Sequence, residues 1–246
     1  AELTAMPDQG TARADVGLVF DYASAWAWQT QPQGHDFDYF RLVFHIYKGL
    51  RRLGLNVDIL PPDTADLSAY PLVLAPGVAT LSDAFLSALT VHKGQSIIGP
   101  RSNCKTVEFA TPVPLPPNLP GLQATVMRVE SLPPDVPVPL VAGGNLLHWR
   151  EKLDTTARVV EVAGDGFPAL IGADGLHYLA GWPDEVALDR ILTAACHRAG
   201  LEVDPLPVGL RRRDSDTHRF WFNYNPVPVE WAGVTIPPAG VHWVAL

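Results

Sequence analysis

The first hundred residues alternate short apolar runs with longer segments of helical periodicity. The short runs have the length of buried strands, and the longer segments repeat apolar residues every three or four positions, which is typical of a helix face. Gly54 and Gly94 follow the two helical segments, and Ser82 stands where an N-cap is expected. The predicted strands are 18–21, 57–60, 72–75 and 95–99, and the predicted helices are 38–53 and 82–92. This order predicts an α/β fold in which a parallel sheet carries helices on both faces.

The rest of the chain changes character twice. Prolines crowd residues 111–139, which predicts an extended, loop-like excursion of polyproline character. The regular segments predicted after it are 153–163, 169–172, 177–180 and a helix over 184–199. Beyond Pro205, strand-length segments alternate with turn residues, which predicts a small antiparallel β domain. We therefore expect two parts, residues 1–203 and residues 204–246.

The charge balance narrows the possible partners. The 246 residues include 26 acidic and 18 basic side chains, and the net charge of −8 disfavours a nucleic acid or an anionic membrane. No apolar run approaches the ~18–20 residues of a membrane helix. The basic run 211–213 is followed by Asp214 and Asp216, which predicts a solvated strand edge or an ion-pair cluster.

Cysteine usage and the first residue suggest a cellular context. Cys104 and Cys196 form neither a disulfide framework nor a metal-binding motif, which is typical of a reducing compartment. We expect a cytoplasmic protein without a cofactor or a metal. The chain starts at Ala1 rather than at methionine, so we also expect a processed or excised piece of a longer protein.

Nine segments of the sequence resemble one known family, in the same order along the chain. They are Leu-Val-Phe-Asp-Tyr-Ala-Ser-Ala-Trp at 18–26, Tyr-Lys-Gly-Leu-Arg at 47–51, Val-Asp at 57–58, Asp-Leu-Ser-Ala-Tyr at 66–70, Leu-Val-Leu-Ala-Pro at 72–76, Pro-Arg-Ser at 100–102, Leu-Pro-Val-Gly-Leu-Arg at 206–211, Phe-Trp-Phe-Asn at 220–223 and Gly-Val-His-Trp-Val at 240–244. The first six are similar to the middle domain of the family 42 β-galactosidases. The last three are similar to that family's small C-terminal β domain.

The resemblance implies both a fold and a role. The family's middle domain has a glutamine-amidotransferase-like, flavodoxin-like fold and holds the enzyme together as a trimer. Both catalytic glutamates lie in an N-terminal (β/α)8 barrel, which needs roughly 250 residues of its own and has no counterpart here. We therefore expect no catalytic residue in this chain, a homo-oligomer, and a galactoside substrate only together with the barrel.

A carboxylate and three large rings follow the first predicted strand. Asp21 stands at its end, and Tyr22, Trp26 and Trp28 follow within seven residues. Ligands and partners of open parallel sheets gather beyond the carboxyl ends of the strands, and aromatic rings supply much of the contact energy in interfaces. We expect these four residues to meet the enzyme's own barrel or a neighbouring subunit. Two alternatives stay open: one or both tryptophans lie in the core, or the rings contact a sugar in the assembled enzyme.

Because the implied fold is that of glutamine amidotransferases, the alternative function is that of an amidotransferase. The residues at the catalytic turn test this alternative. A class I amidotransferase carries its nucleophilic cysteine on a tight Gly-x-Cys-x-Gly turn after a strand. Here the turn after the fourth predicted strand is Gly-Pro-Arg-Ser, with Pro100 at the cysteine position, Arg101 and Ser102 after it, and no second glycine. Cys104 lies nearby but off the turn. We interpret this turn as a degenerate, non-catalytic elbow.

Other candidate chemistry is weaker still. His177 lacks the glutamate two residues later that an amidotransferase pairs with its histidine. Asp21, Asp58 and Asp63 follow or end strands, where turn and cap roles are expected, and Glu151 is predicted to be a surface charge beside a packed tryptophan. The histidines show no metal-site spacing. Two functions remain: assembly of a β-galactosidase, or a stand-alone amidotransferase-like small-molecule hydrolase or sensor.

Overall fold

A computed structural model describes residues 10–34 and 36–246. The helices within these residues are α1 (Tyr22–Thr30), α2 (Tyr39–Arg52), α3 (Asp83–Val91) and α4 (Glu185–Arg198). The strands are β1 (Val16–Val19), β2 (Val57–Leu60), β3 (Leu72–Ala75), β4 (Gln95–Ile98), β5 (Pro117–Leu119), β6 (Leu122–Ser131), β7 (Val138–Pro139), β8 (Asn145–Thr155), β9 (Arg158–Val162), β10 (Pro168–Ala173), β11 (Leu176–Leu179), β12 (Gly181–Pro183), β13 (Leu210–Asp214), β14 (His218–Asn223), β15 (Val229–Trp231), β16 (Val234–Ile236) and β17 (Val241–Ala245). None of the described helices has the length and apolar character to span a bilayer.

Three helices begin where the sequence predicts them. Side-chain oxygens of Asp38, Ser82 and Asp184 each accept the backbone N–H of the residue three positions later, which is N-cap geometry. Helix α1 is not predicted, because its apolar residues surround the helix rather than follow one face. Asp21 caps α1, in agreement with the cap role expected for it.

The largest sheet has seven strands in the order β2-β1-β3-β4-β11-β10-β9. Strands β1, β2, β3, β4 and β11 are parallel, as predicted, but β10 runs antiparallel to both of its neighbours. The all-parallel prediction is therefore wrong at this end of the sheet. Asp174 and Gly175 both have positive φ, at 46° and 87°, and form a tight hairpin turn that reverses the chain between β10 and β11.

The two faces of this sheet carry different layers. Leu72 and Leu74 of β3 face a core shared with α1, α2 and α4, while Val73 and Ala75 face a second core shared with α3. This alternation follows from the period of two in a strand. Helices therefore cover both faces, as predicted. Strands β6 and β8 of a second sheet also pack into the core beside α3.

The proline-rich excursion is only partly a loop. Residues 111–139 contribute β5, β6 and β7 to a five-stranded antiparallel sheet with β8 and β12. The loop prediction was wrong here because the prolines occupy the two ends of the segment and leave residues 121–132 free to donate ladder hydrogen bonds. Strand β6 pairs with β8 along almost its whole length.

The C-terminal residues form two antiparallel sheets, as the alternating pattern predicts. One contains β13, β14 and β17, and the other is the β15–β16 hairpin. The buried Arg51 guanidinium at the end of α2 donates to the carbonyl oxygens of Leu55 and Arg212, which joins the helix to β13. Arg212 also forms ion pairs with Asp204 and Asp214, so the basic run belongs to an ion-pair cluster.

Candidate functional site

Asp21 uses its carboxylate to begin helix α1. Its Oδ1 accepts a hydrogen bond from the backbone N–H of Ala23 at 3.0 Å. Its Oδ2 accepts two hydrogen bonds from Ser24, one from the backbone N–H at 2.8 Å and one from the hydroxyl at 2.5 Å. Its own backbone N–H donates to the Tyr39 hydroxyl oxygen at 2.8 Å. This carboxylate is therefore a structural cap.

The two tryptophans of α1 occupy opposite environments. Trp28 is only 3% exposed, its Nε1 donates to the Gly77 carbonyl oxygen at 3.0 Å, and its ring stacks on Phe37 with centroids 4.1 Å apart. Tyr22 and Trp26 are both 63% exposed. The alternative of a core tryptophan thus applies to Trp28, which has no free surface to offer a partner.

Tyr22 and Trp26 belong to a larger exposed surface that we call the aromatic edge: Tyr22, Trp26, Phe40 and Phe44. Tyr22 and Trp26 are four residues apart in α1, as are Phe40 and Phe44 in α2, so each pair lies on one side of its helix. Phe20 lies beneath the edge, with its centroid 4.9 Å from that of Tyr22 and 5.3 Å from that of Phe40. Phe40 and Phe44 share the spacing of an apolar helix face with Val43, Tyr47 and Leu50, yet both are exposed.

The turn after β4 has the backbone shape of a nucleophile elbow but not its residues. Arg101 has φ 53° and Asn103 has φ 52°, both in the left-handed region. In the pattern Gly-x-nucleophile-x-Gly, the nucleophile is the second residue after the first glycine. The second residue after Gly99 is Arg101, so Arg101 holds the nucleophile position and the assignment of Pro100 to it was wrong. Ser102 is buried next to it, and its hydroxyl donates to the Ala75 carbonyl oxygen at 3.0 Å.

A buried cluster surrounds this turn, and we call its members Arg101, Glu151 and Tyr178 the elbow cluster. Glu151 is 4% exposed, so the prediction of a surface charge was wrong. Its Oε1 accepts the Arg101 backbone N–H at 3.1 Å, and its Oε2 accepts the Tyr178 hydroxyl at 2.6 Å. Burial raises the pKa of Glu151 to about 7. The sequence missed this carboxylate because only the fold brings β8, β4 and β11 together.

Three rings enclose the Arg101 guanidinium. Its carbon lies 4.9 Å from the ring centroid of Trp28 and 5.6 Å from those of Phe37 and Trp149, distances at which cation–π attraction operates. Nη2 donates to the Gln31 carbonyl oxygen at 2.7 Å, whereas Nη1 has no hydrogen-bond partner among the described residues. The aromatic faces thus replace part of the hydration that the cation loses on burial.

The surroundings of Cys104 disfavour the thiolate that a nucleophile needs. Burial raises the pKa of its thiol to about 11, so the sulfur stays protonated at neutral pH. Its Sγ donates to the Arg101 carbonyl oxygen at 3.4 Å. An amidotransferase needs a thiolate on the elbow, and here the elbow position holds an arginine instead.

A cleft of about 410 Å³ opens beyond the carboxyl ends of β1 and β3. Helix α1 forms one wall with Ala23 and Ala27, and Ala79 forms part of the floor. Val107 and Phe109, in the segment that follows β4, also line it. The described residues hold no group of three or more histidine, cysteine or carboxylate side chains that could bind a metal ion.

Sequence comparison relates the chain to one region of known β-galactosidases. Residues 14–202 match the family described as the β-galactosidase trimerisation domain. The β-galactosidase of Thermus thermophilus is 41% identical over 238 residues, which cover 93% of this chain and 36% of that protein. The β-galactosidase Bga of Halorubrum lacusprofundi is 32% identical over 231 residues, which cover 80% of this chain and 32% of that protein. The chain spans about a third of the length of the curated relatives it matches.

Solved structures agree with the sequence comparison. The crystal structure of a β-galactosidase from the psychrophilic Marinomonas ef1 matches with a TM-score of 0.87 and 30% identity, covering 98% of this chain and 38% of that one. The β-galactosidase of Halorubrum lacusprofundi matches with a TM-score of 0.85 and 28% identity, covering 99% of this chain and 41% of that one. Since the matched residues 14–202 make up more than half of the chain, the chain belongs to the β-galactosidase trimerisation domain family.

Proposed function

We propose that this chain is the assembly region of a β-galactosidase, and that the full-length enzyme hydrolyses terminal β-galactosides with residues outside it. The observation that carries the proposal is the match of residues 14–202 to a trimerisation domain. The relatives are named β-galactosidases, and they are more than twice as long as the region they share with this chain. Both observations agree with catalytic glutamates that lie in a separate barrel domain, in the part of the relatives that this chain does not cover.

The elbow argues against the alternative of a stand-alone amidotransferase-like hydrolase or sensor. Arg101 occupies the nucleophile position, and the Cys104 thiol is protonated at neutral pH. The Glu151 carboxyl, whose raised pKa is typical of a catalytic group, already accepts hydrogen bonds from Arg101 and Tyr178. The described cleft does not include Glu151 in its walls.

We further infer that the α/β part is flavodoxin-like and related to the amidotransferase fold. The strand order β2-β1-β3-β4-β11 corresponds to the order 2-1-3-4-5 of flavodoxin-like sheets. A domain boundary near 203/204 fits the change from helix α4 to the antiparallel strands that start with β13. A cytoplasmic location fits the two free cysteines, and the charge of −8 disfavours nucleic-acid and membrane partners.

The partner that this chain binds is a second copy of itself, in a trimer. The aromatic edge supports this, because its four large rings on α1 and α2 are exposed, and exposed rings of this size commonly anchor interfaces. A specific interface buries on the order of 1,200–2,000 Å² in total, so the edge is one part of the contact rather than all of it.

Sedimentation of the purified 246-residue chain over a concentration series tests the proposal. We expect the average mass to rise from one towards three subunits, and we expect Trp26→Ala to move that rise to higher concentration. A strict monomer at the highest concentration would overturn assembly by this chain. Hydrolysis of a chromogenic β-galactoside by highly pure chain would overturn the placement of catalysis outside it.

A further inference from the structure

A trimer sets a geometric requirement that the aromatic edge alone does not meet. Three identical subunits close into a ring by a heterologous contact, in which one surface of each subunit meets a different surface of the next. If the aromatic edge is one of these surfaces, each subunit also carries a second one. This inference rests on the proposed trimeric assembly.

The second surface has to accept large rings, and the cleft beyond β1 and β3 is shaped to do so. Its volume of about 410 Å³ lies within the range of pockets that enclose ligands larger than an indole. Ala23, Ala27 and Ala79 give it small apolar walls. Ala23 and Ala27 lie on a different side of α1 from Tyr22 and Trp26, because each residue along a helix turns the side chain by about 100°.

The far wall of the cleft is itself an exposed apolar segment, residues 105–115, which we call the cleft loop. Val107 is 77% exposed, and Phe109, Val113 and Leu115 are also exposed. Four large apolar side chains exposed within one short loop form a patch that marks an interaction surface. Val107 and Phe109 join this patch to the cleft.

The aromatic edge and the cleft differ in the sign of the charges beside them. On the aromatic edge, Lys48 Nζ lies 5.3 Å from the ring centroid of Phe44. Arg41 extends from the same helix with its side chain mostly exposed, and one of its nitrogens lies 4.0 Å from Asp36. Arg41 is thus paired with an acid of its own chain, and Lys48 is the cation that lies against a ring of the edge.

The cleft carries the opposite excess of charge. Asp21 and Asp63 line it, and the exposed Glu108 belongs to the cleft loop. Lys105 is the one cation among the lining residues. Surfaces of opposite sign favour contact between an edge and a cleft and disfavour contact between two edges.

We propose that the cleft and cleft loop of one copy receive the aromatic edge of the next copy, with the Trp26 ring entering the cleft. The contact is heterologous, as closure of three copies requires. Tyr22, Phe40 and Phe44 then lie against the rim, and Lys48 beside Phe44 meets the acidic side of the neighbour.

The first test is a charge placed on the cleft loop. Val107→Glu puts an unpaired carboxylate into the proposed contact and should weaken self-association on the order of tenfold or more, measured by sedimentation. Val208→Glu is the matched control, since Val208 is 90% exposed on the loop before β13. It should leave self-association unchanged. Equal association of the two variants would overturn the proposed cleft contact.

A mixing experiment tests the heterologous geometry directly. The Trp26→Ala variant keeps an intact cleft, and the Val107→Glu variant keeps an intact aromatic edge, so the two together can form one native contact. An equimolar mixture should therefore form dimers at a concentration where each variant alone is monomeric. A mixture as monomeric as its components would overturn the proposal.

The outcomes also distinguish failure of the proposed cleft contact from failure of the proposed assembly function. If the wild-type chain associates but Val107→Glu behaves as Val208→Glu does, assembly stands and the cleft contact falls. If the wild-type chain is monomeric throughout, both fall. Circular dichroism of each variant shows whether its fold is intact.

Discussion

Trp26 and Trp28 are two residues apart in α1, yet they belong to different parts of the molecule. A helix turns by about 200° over two residues, so one indole points into the core while the other points away from it. Trp28 packs on the Arg101 guanidinium beside the elbow cluster, and Trp26 belongs to the aromatic edge. The same residue type therefore serves stability at one position and is free for contact at the other.

The two regions differ in how fully their groups are engaged. In the elbow cluster, both carboxylate oxygens of Glu151 accept hydrogen bonds, and rings cover the Arg101 cation. On the aromatic edge, Tyr22 packs on Phe20 and Phe40, but Tyr22 and Trp26 leave most of their surface in water. Buried groups with hydrogen-bond and ring partners stabilise a fold, whereas large apolar side chains left in water mark a contact surface. Mutations in the two regions should thus change different observables.

Trp28→Ala should have the largest effect on folding. It removes a buried ring, its hydrogen bond to Gly77 and its contact with Arg101, and the expected loss is about 3–5 kcal/mol in the free energy of unfolding. Urea denaturation measures it. Trp26→Ala is the matched control in the same helix. Equal losses for the two variants would contradict the contrast drawn between them.

Glu151 should make stability depend on pH. Burial raises its pKa to about 7 from the ordinary 4.5, so between these values the folded chain holds a proton that the unfolded chain has released. Its contribution to stability is therefore greatest below pH 4.5 and is lost as the pH rises to about 7, by about 3 kcal/mol.

Urea denaturation from pH 5 to 8 measures this loss by comparison with Glu151→Gln. The glutamine keeps the shape of the side chain and a hydrogen-bond acceptor for the Arg101 N–H, but it does not titrate. Wild-type stability should fall relative to the variant across this range. Parallel profiles would show that the carboxyl titrates near its ordinary pKa, as an exposed group does.

Trp26→Ala should separate assembly from folding. Its exposed ring contributes little to the fold, so the free energy of unfolding should change by less than about 0.5 kcal/mol in dilute solution. Self-association should weaken on the order of tenfold, as for an interface anchor. Denaturation and sedimentation on the same preparation give both numbers. A large loss of stability with unchanged association would reverse the roles assigned to the two regions.

Cys104→Ser should have the smallest effect on either region. The serine hydroxyl can donate to the Arg101 carbonyl oxygen as the thiol does, so the free energy of unfolding should stay within about 0.5 kcal/mol. Assembly should be unchanged, since the thiol lies off the aromatic edge. An assay for glutaminase or esterase turnover provides the contrary outcome: activity in the wild type that the variant loses would restore the amidotransferase alternative.

Local chemistry predicted much of the fold. Caps at Asp38, Ser82 and Asp184 and the glycines after the helices gave the bounds of three helices to within a residue or two. The hairpin at Asp174 and Gly175 was equally local, but its turn residues were overlooked. The segment 169–172 was therefore predicted without the antiparallel direction that β10 has. Strand β6 was missed because the prolines on either side dominated the composition of its segment.

The sequence by itself determined the alternation of helices and strands and the absence of a cysteine from the elbow, because each depends on residues close together in the chain. It also determined the family, because short segments resembling that family follow one another in the same order along the chain. Only the tertiary structure decided which rings are exposed and which carboxylate is buried. Glu151, Tyr178 and Arg101 come from three separate strands or strand ends, and their burial follows from packing between two sheets. Phe40 and Phe44 are exposed, whereas Val43 on the same helix is buried. The spacing of apolar residues indicates that a helix has an apolar face, but it does not show how much of that face the neighbouring elements cover.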